Sequence, residues 1–167
     1  MPDPLPRYHL RPIRPADAEP VAALIRQAFA ALPVAPDPPM SALRITAEDV
    51  TAHLASGGGA LAAFQATPVA SALWSAQDGG LYLGRLAVVP AWRGLGIARA
   101  LIAAAEAAAS ELGLPRIHLS TRLVLTGNRR LFAACGFAET TQTAHPGYAE
   151  PTSVAMEKWL DRRGRPV

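Results

Sequence analysis

Two arginines and two glycines stand together where an apolar segment meets an alanine-rich one. Residues 86–90 read as the end of a strand, and Arg93, Gly94, Gly96 and Arg99 lead from it into a helix. The first amides of a helix have no intrahelical acceptor, and the helix dipole places partial positive charge there. The glycines leave those amides open to an anion, and the arginines add full positive charges. The pattern therefore predicts an anion site, with a pyrophosphate as the expected ligand.

Three kinds of phosphate site compete for this pattern. A P-loop requires Gly-x-x-x-x-Gly-Lys-Ser/Thr, but the residue five positions after Gly94 is arginine and no Lys-Ser/Thr pair follows. A dinucleotide-binding turn requires a third glycine where this chain has arginine, and an acidic residue about 20 positions later, whereas residues 116–120 have none. The remaining pattern, Arg/Gln-x-x-Gly-x-Gly/Ala, is met by Arg93, Gly96 and Ala98.

This remaining pattern, with the strand before it and the helix after it, resembles the coenzyme A turn of the GNAT superfamily of N-acetyltransferases. A second block, residues 128–137, is similar to the later motif of that family, an Asn on a short helix that ends in Gly-Phe before a strand. The resemblance covers residues 7–160, nearly the whole chain. It implies one N-acetyltransferase domain over residues 1–167, with acetyl-CoA as the co-substrate.

The resemblance also implies which residues hold that co-substrate. The strand before the turn pairs through its backbone with the pantetheine arm, the amides of the turn hold the pyrophosphate, and Asn128 contacts the pantetheine or orders a water. An amide at the strand end would polarise the thioester carbonyl. The implied cofactor-binding residues are Leu86, Ala87, Val88, Arg93, Gly94, Leu95, Gly96, Ile97, Ala98, Arg99, Asn128 and Phe132.

The implied reaction is direct attack of an acceptor amine on the acetyl thioester, with much of the rate supplied by holding both reactants together. An alkyl amine is mostly protonated at neutral pH, so a base or a water chain must remove a proton. Many relatives carry a tyrosine as the acid for the leaving thiolate, four residues before the glycine of the Gly-Phe pair. This chain has Phe132 there, so either another group protonates the sulfur or the thiolate leaves unaided.

Five side chains are candidates for the remaining roles at the site. Tyr148 is the first choice for the missing acid, because the loop between the last two strands often faces the acceptor in relatives. Tyr82 and His118 are further catalytic candidates, although each could instead be a structural residue of the sheet. Arg85 stands where relatives often carry an acid, which indicates a substrate anion or an ion pair. His145 is either a substrate contact or a turn residue.

Composition excludes several other kinds of protein. No apolar run approaches the length of about 18 residues that a membrane span needs, and residues 2–7 lack the apolar core of a signal peptide. The net charge of +3 comes from scattered basic residues, apart from those at 162–165, which disfavours nucleic acid as a partner. The four histidines show no paired-ligand spacing, so no metal site is expected.

The single cysteine bears on redox chemistry and on location. Cys135 cannot form an internal disulfide, which suits a cytoplasmic protein. An acyl-cysteine intermediate is less favoured than a small buried side chain at this position. The sequence leaves the oligomeric state open, and the resemblance adds only that dimers are common among relatives.

Apolar periodicity and turn residues predict the order β-α-α-β-β-β-α-β-α-β-β. This order indicates an α/β (α+β) fold, a mixed central sheet of about seven strands flanked by about four helices, and it is also the GNAT order. Proline-rich residues 33–45 are expected as an extended loop that, with loop 143–152, selects the acceptor. A hairpin turn is expected at residues 67–68, and the glycines at 57–59 are expected to end a helix.

The sequence therefore predicts an acetyl-CoA-dependent N-acetyltransferase that acts on a primary amine of a small molecule or a protein. The alternative is a non-catalytic acyl-CoA-binding sensor of the same fold. Phe132 motivates this alternative, because it replaces the residue that donates a proton in many relatives. Both readings require the same anion site, and they differ only in turnover.

Overall fold

Seven strands and four helices follow one another in the predicted order. The computed structural model describes residues 7–161 and Val167; the expectations for residues 2–6 and 162–165 lie outside the described residues. The strands are β1 (His9–Pro12), β2 (Gly58–Phe64), β3 (Thr67–Gln77), β4 (Gly80–Val88), β5 (Arg116–Arg122), β6 (Ala138–Thr143) and β7 (Ser153–Trp159). The helices are α1 (Ala18–Ala30), α2 (Ala47–Leu54), α3 (Ile97–Glu111) and α4 (Thr126–Ala134).

The strands form one mixed sheet in the order β1-β2-β3-β4-β5-β7-β6. Every neighbouring pair is antiparallel except β4 and β5, which are parallel and lie at the centre. The chain reaches β5 from β4 through α3, as a parallel pair requires a crossover connection. The predicted fold class is confirmed.

Helices cover both faces of the sheet because each presents one apolar stripe. Helix α3 packs on one face through residues that include Ile97, Leu101 and Ala105. Helices α1 and α2 pack on the other face around Ile25 and Val50. None of the helices within residues 7–161 is long and apolar enough to cross a membrane.

The first residues of α2 cap the helix. The Thr46 hydroxyl accepts a hydrogen bond from the Asp49 amide at 3.2 Å, and the Asp49 carboxylate accepts one from the Thr46 amide at 2.9 Å. This reciprocal capping box satisfies two amides that the helix itself cannot pair. It fixes the start of α2, and Gly57 and Gly58 then lead from its end into β2 as expected.

Two local expectations are wrong in detail. The β2–β3 turn falls at residues 65–66, where Gln65 has a φ of +55°, and not at Thr67 and Pro68. Thr67 and Pro68 instead pair with the end of β2 beside a register shift, where a proline without an N–H is tolerated. The loop at 33–45 is not wholly extended, since Ser41–Arg44 forms one turn of 3-10 helix.

Candidate active site

The turn between β4 and α3 has the backbone that an anion site needs. Gly94 and Gly96 have φ values of +76° and +79°, a region that favours glycine. A Cβ at either position would meet no other heavy atom within 4 Å, so the space beside this backbone is open. Gly96 is the N-cap of α3, and no side chain caps that helix. The first amides of α3 therefore face open space with the positive end of the helix dipole behind them.

Arg93 plays a different part from the one its charge suggested. Its guanidinium donates to the carbonyl oxygens of Val88 at 3.1 Å, Ala31 at 3.1 Å and Ala28 at 3.0 Å. These bonds join the end of β4 to the last turn of α1, whose carbonyls have no partner within the helix. Arg93 thus positions the turn, and its side-chain donors point to the main chain. Arg99 is exposed, and the one hydrogen bond of its side chain within residues 7–161 is a 3.8 Å contact with the sulfur of Cys135.

The sheet opens beside this turn. Strands β4 and β5 are in register only at Leu81–Ile117 and Tyr82–His118, so the rest of β4 has no strand on that edge. On its other edge β4 carries one extra residue relative to β3, a β-bulge that contains Arg85 with a φ of +52°. From Leu83 onward, the main chain of β4 is therefore available to an extended ligand.

Two cavities meet at this opening. The turn-side cavity, of about 530 Å³, lies between α1 and the β4–α3 turn; the loop-side cavity, of about 800 Å³, lies under the 40–53 segment. The residues that line both are Phe29, Leu86, Asn128 and Phe132, which we call the junction. A ligand in one cavity can therefore reach a ligand in the other at the end of β4.

The sequence-predicted cofactor residues converge on the turn-side cavity. All of them line it except Leu95, which packs partly buried against the core on the α3 face. Phe132 is only 7% exposed, and its ring lies edge-to-face on Phe137 with centroids 5.8 Å apart. The ring of Phe132 therefore occupies the junction. It has no hydroxyl, so the position at which many relatives are expected to carry the acid holds no proton donor here.

The loop-side cavity is the more polar of the two in its side chains. It is lined from α2 and the segment before it, from β3 and β4, and from β5. Sequence reasoning singled out Tyr82 and Arg85 but missed Arg44, Asp49 and His53 as site residues. The one signal was the expectation that the loop at 33–45 selects the acceptor, and this loop includes only Arg44 of the three. The polar residues that line this cavity are Ser41, Arg44, Asp49, His53, Ser75, Gln77, Tyr82, Arg85, Ser120, Thr121 and Asn128.

Tyr82 and His118 lie side by side on β4 and β5. Their rings meet edge-to-face with centroids 5.3 Å apart. Tyr82 lines the loop-side cavity, whereas His118 lines neither cavity. The His118 Nε2 lies 2.9 Å from the Gln77 carbonyl oxygen, which can only accept, so that nitrogen carries the hydrogen in the neutral ring. The structure thus brings Tyr82 to the cavity, whereas His118 contacts the Tyr82 ring without lining the cavity.

Tyr148 and His145 lie in the loop between β6 and β7, outside the lining of both cavities. The Tyr148 hydroxyl donates to Asp37 at 2.5 Å, and this bond raises the pKa of Tyr148. Burial lowers the pKa of nearby Arg122, whereas Tyr148 and Asp37 act to raise it. The His145 ring and backbone both contact the Thr152 hydroxyl. The two loops predicted to select the acceptor therefore meet at Tyr148 and Asp37.

Solved structures with this fold are numerous. The ribosomal-protein-S18-alanine N-acetyltransferase from Escherichia coli has 15% identity, its match covers 96% of this chain and 94% of its own, and it superposes with a TM-score of 0.72. An acetyltransferase from Salmonella typhimurium with its cofactor acetyl-CoA has 17% identity, coverage of 93% and 95%, and a TM-score of 0.71. The PaiA N-acetyltransferase of Thermoplasma acidophilum in complex with coenzyme A has 14% identity, coverage of 92% and 99%, and a TM-score of 0.72.

These likenesses show the fold, and the sequence itself shows the family. No curated protein sequence matches the chain. The family model described as the acetyltransferase (GNAT) family matches residues 23–137, which include α3, the glycine turn, β4, β5 and α4. Because this match spans more than half of the chain, the protein belongs to the GNAT acetyltransferase family.

Proposed function

We propose that this protein transfers an acetyl group from acetyl-CoA to a primary amine of a small molecule or a protein by direct attack. The observation that carries the proposal is the meeting of two cavities at the open edge of β4. One cavity ends at an anion site, and the other is lined by polar and charged side chains. A group-transfer reaction needs two such binding regions with one point of contact.

The turn-side cavity fits coenzyme A in three respects. The open space beside Gly94 and Gly96 can admit a pyrophosphate to the amides of α3. The unpaired edge of β4 offers N–H and C=O groups to an extended chain with amide groups, as pantetheine is. The exposed side chain of Arg99 adds positive charge at the mouth. When bound, acetyl-CoA would supply the activated acetyl thioester.

The chain itself supplies position and polarity at the junction. The main chain of β4 and the start of α3 would orient the donor, and a β4 amide would stabilise negative charge on the thioester oxygen. Asn128, on α4, lies where it can hydrogen-bond either reactant. Phe29 and Phe132 give the junction apolar walls, which exclude water from the point of transfer.

Tyr82 is our first candidate for moving protons, because it lines the cavity proposed for the amine. Its hydroxyl can give its proton to the leaving thiolate, and the phenolate that results can take up, through water, the proton that the amine loses. His118, packed against Tyr82, is proposed as its neighbour in that path. Tyr148 stays a candidate acid, although its raised pKa makes it a weaker proton donor than an ordinary tyrosine.

The proposal is tested with purified protein, acetyl-CoA and a broad panel of amines. Release of free thiol, measured with a thiol reagent, must be matched by an acetylated amine of the expected mass. Isothermal calorimetry measures acetyl-CoA binding separately. Binding with amine-dependent release supports the proposal, and a failure to bind acetyl-CoA would contradict it.

The second candidate function is a sensor that binds acyl-CoA without turnover. Phe132 favours it, because its buried ring leaves the junction without the acid that many relatives place there. This function predicts acetyl-CoA binding with no thiol release across the panel. The two functions therefore separate in the same experiment.

A further inference from the structure

Arg85 lies at the point where the bulge in β4 reaches the loop-side cavity. It directly precedes the junction residue Leu86, and its φ of +52° is in the left-handed region that residues with a Cβ seldom adopt. β-bulges beside active sites commonly re-aim a side chain. The fold therefore maintains an unfavourable backbone conformation that keeps a guanidinium in the wall of this cavity, next to the point of transfer.

Most of the N–H donors of the Arg85 guanidinium have no hydrogen-bond partner among the described residues. Nη2 donates to the Ser41 hydroxyl at 2.9 Å, the one side-chain hydrogen bond of Arg85 within residues 7–161. A guanidinium carries five N–H donors, so most of them are open to a ligand. Arg44 follows three positions after Ser41 and lines the same cavity. Its side chain forms neither a hydrogen bond nor an ion pair with any described residue.

The charges that line the loop-side cavity do not balance. Arg44 and Arg85 are positive, and Asp49 is the one carboxylate in the described lining, which leaves an excess of one positive charge. The Asp49 carboxylate already accepts hydrogen bonds from the amide and hydroxyl of Thr46 at 2.9 and 3.0 Å. Neither arginine lies within ion-pair distance of it. The charge of Arg85 contributes to the lowered pKa of Asp49, after the hydrogen bonds from Thr46. A negative group on the ligand would complete the balance.

We propose that the acceptor amine carries an anionic group, a carboxylate or a phosphate, which Arg85 and Arg44 bind. This inference rests on the proposed acetyl transfer and names its substrate class. Guanidinium groups bind both anions through paired N–H···O bonds. A cavity of about 800 Å³ has the size of a small-molecule site. The acceptor is therefore a small amine such as an amino acid, and a polyamine is disfavoured because both arginines repel it.

Matched acceptors test the charge directly. With acetyl-CoA as donor, kcat/KM is compared between the common L-amino acids and their C-terminal amides, and aminoalkyl phosphates form a separate arm. Amidation removes the negative charge and makes the amine less basic, hence more available at neutral pH. We expect the acids to exceed their amides by about 10- to 100-fold, the range of a charged hydrogen bond. Stronger turnover of aminoalkyl phosphates would assign the anion as phosphate.

Variants then connect that preference to the arginines. Arg85→Gln should raise KM for the anionic acceptor by about tenfold or more and leave KM for its uncharged counterpart unchanged. Arg85→Lys should recover part of the loss, and Arg44→Gln should give a smaller change of the same kind. Arg14→Gln is the control, because Arg14 is exposed and lines neither cavity. Calorimetry should find the acetyl-CoA affinity of Arg85→Gln unaltered.

The outcomes separate this inference from the function on which it rests. Amides or polyamines that are acetylated as well as the acids, or an equal loss for both in Arg85→Gln, would overturn the anion site and leave acetyl transfer standing. Binding of acetyl-CoA with no turnover of any amine would overturn the proposed function, and this inference with it.

Discussion

The turn-side and loop-side cavities differ in the kind of chemical group that forms their walls. The turn-side cavity presents backbone: the amides at the start of α3, the free edge of β4 and glycines that leave both accessible. The loop-side cavity presents side chains: two arginines, an aspartate, a histidine and a tyrosine. A backbone wall suits one constant ligand, and a side-chain wall can change with a few substitutions. The contrast fits the proposed function, in which the donor is constant and side chains select the acceptor.

The two cavities also differ in how the chain assembles them. The turn-side cavity takes most of its lining residues from segment 86–99, which is contiguous in sequence. The loop-side cavity draws on segments 40–53, 73–77, 82–86 and 119–121, which only the folded sheet brings together. Local substitutions at the turn should therefore disturb donor binding alone, whereas those in the other cavity should disturb the acceptor and the transfer.

The largest expected effect comes from placing a carboxylate at the turn. Gly96→Glu puts bulk and negative charge where the anion would bind, so acetyl-CoA binding should fall below detection by calorimetry. Gly113→Glu is a matched control, since Gly113 has a φ of +68°, open surroundings and a place at the other end of α3. If Gly96→Glu binds acetyl-CoA as tightly as the control does, the backbone of this turn is not the anion site for acetyl-CoA.

Removal of one hydroxyl from the loop-side cavity should leave binding intact and slow turnover. Tyr82→Phe should lower kcat by about 100-fold, as loss of a proton-transfer group does, with donor affinity unchanged. Tyr148→Phe is the companion variant: a fall in kcat would assign the acid to Tyr148, whereas a change in the acceptor KM alone would fit a loop contact. Full activity in both variants would exclude either tyrosine from proton transfer.

Variants of Arg93 and Arg99 should distinguish a residue that positions the turn from one that adds charge to the turn-side cavity. Arg93→Gln removes bonds to three carbonyls, so the free energy of unfolding should fall by about 2 kcal/mol and donor affinity should fall with it. Arg99→Gln should lower donor affinity while the free energy of unfolding stays constant. Urea unfolding and calorimetry on both variants measure this. Equal stability of the two would refute the positioning role of Arg93.

The smallest expected effect concerns stability alone, at a pair of residues that line neither cavity. Bidentate hydrogen bonds from Arg11, at 2.7 and 2.8 Å, lower the pKa of Asp17. Stability from this pair is therefore present above the usual pKa of aspartate and is lost as the pH falls through the lowered one. Asp17→Asn should lose about 1 kcal/mol at pH 7, and the difference should vanish well below about pH 4. A difference independent of pH in urea unfolding would exclude the charge as its source.

Features encoded by neighbouring residues could be predicted from the sequence. Thr46 and Asp49 mark a helix start three positions apart, Asp78 and Gly79 form the β3–β4 turn, and the glycine turn is a contiguous motif. The fold class followed from the order of such segments. Each of these features depends on local backbone preference, which is determined by a few neighbouring residues.

Contacts between distant residues could not be predicted in this way. Arg93 bonds carbonyls 62 and 65 residues away, and backbone carbonyls carry no sequence signature. Arg44 and Arg85 share a cavity only because a 3-10 turn lies over the bulge of β4. The hairpin turn was misplaced because Pro68 signals a turn locally, whereas the bulge at Ala63 accommodates it within the ladder. Tertiary packing determines each of these three features.

The brief contact between β4 and β5 has a consequence for the protein without its donor. Antiparallel ladders hold β1–β4 together and β5–β7 together, but only two residue pairs join the two groups across the middle. The sheet is thus weakly paired at its centre. A ligand lying along β4 would form hydrogen bonds with the β4 main chain where β5 does not. Amide protons on that edge should exchange with deuterium quickly in the free protein and slowly in the complex. At 100 times its dissociation constant, the ligand would add about 2.7 kcal/mol to the free energy of unfolding.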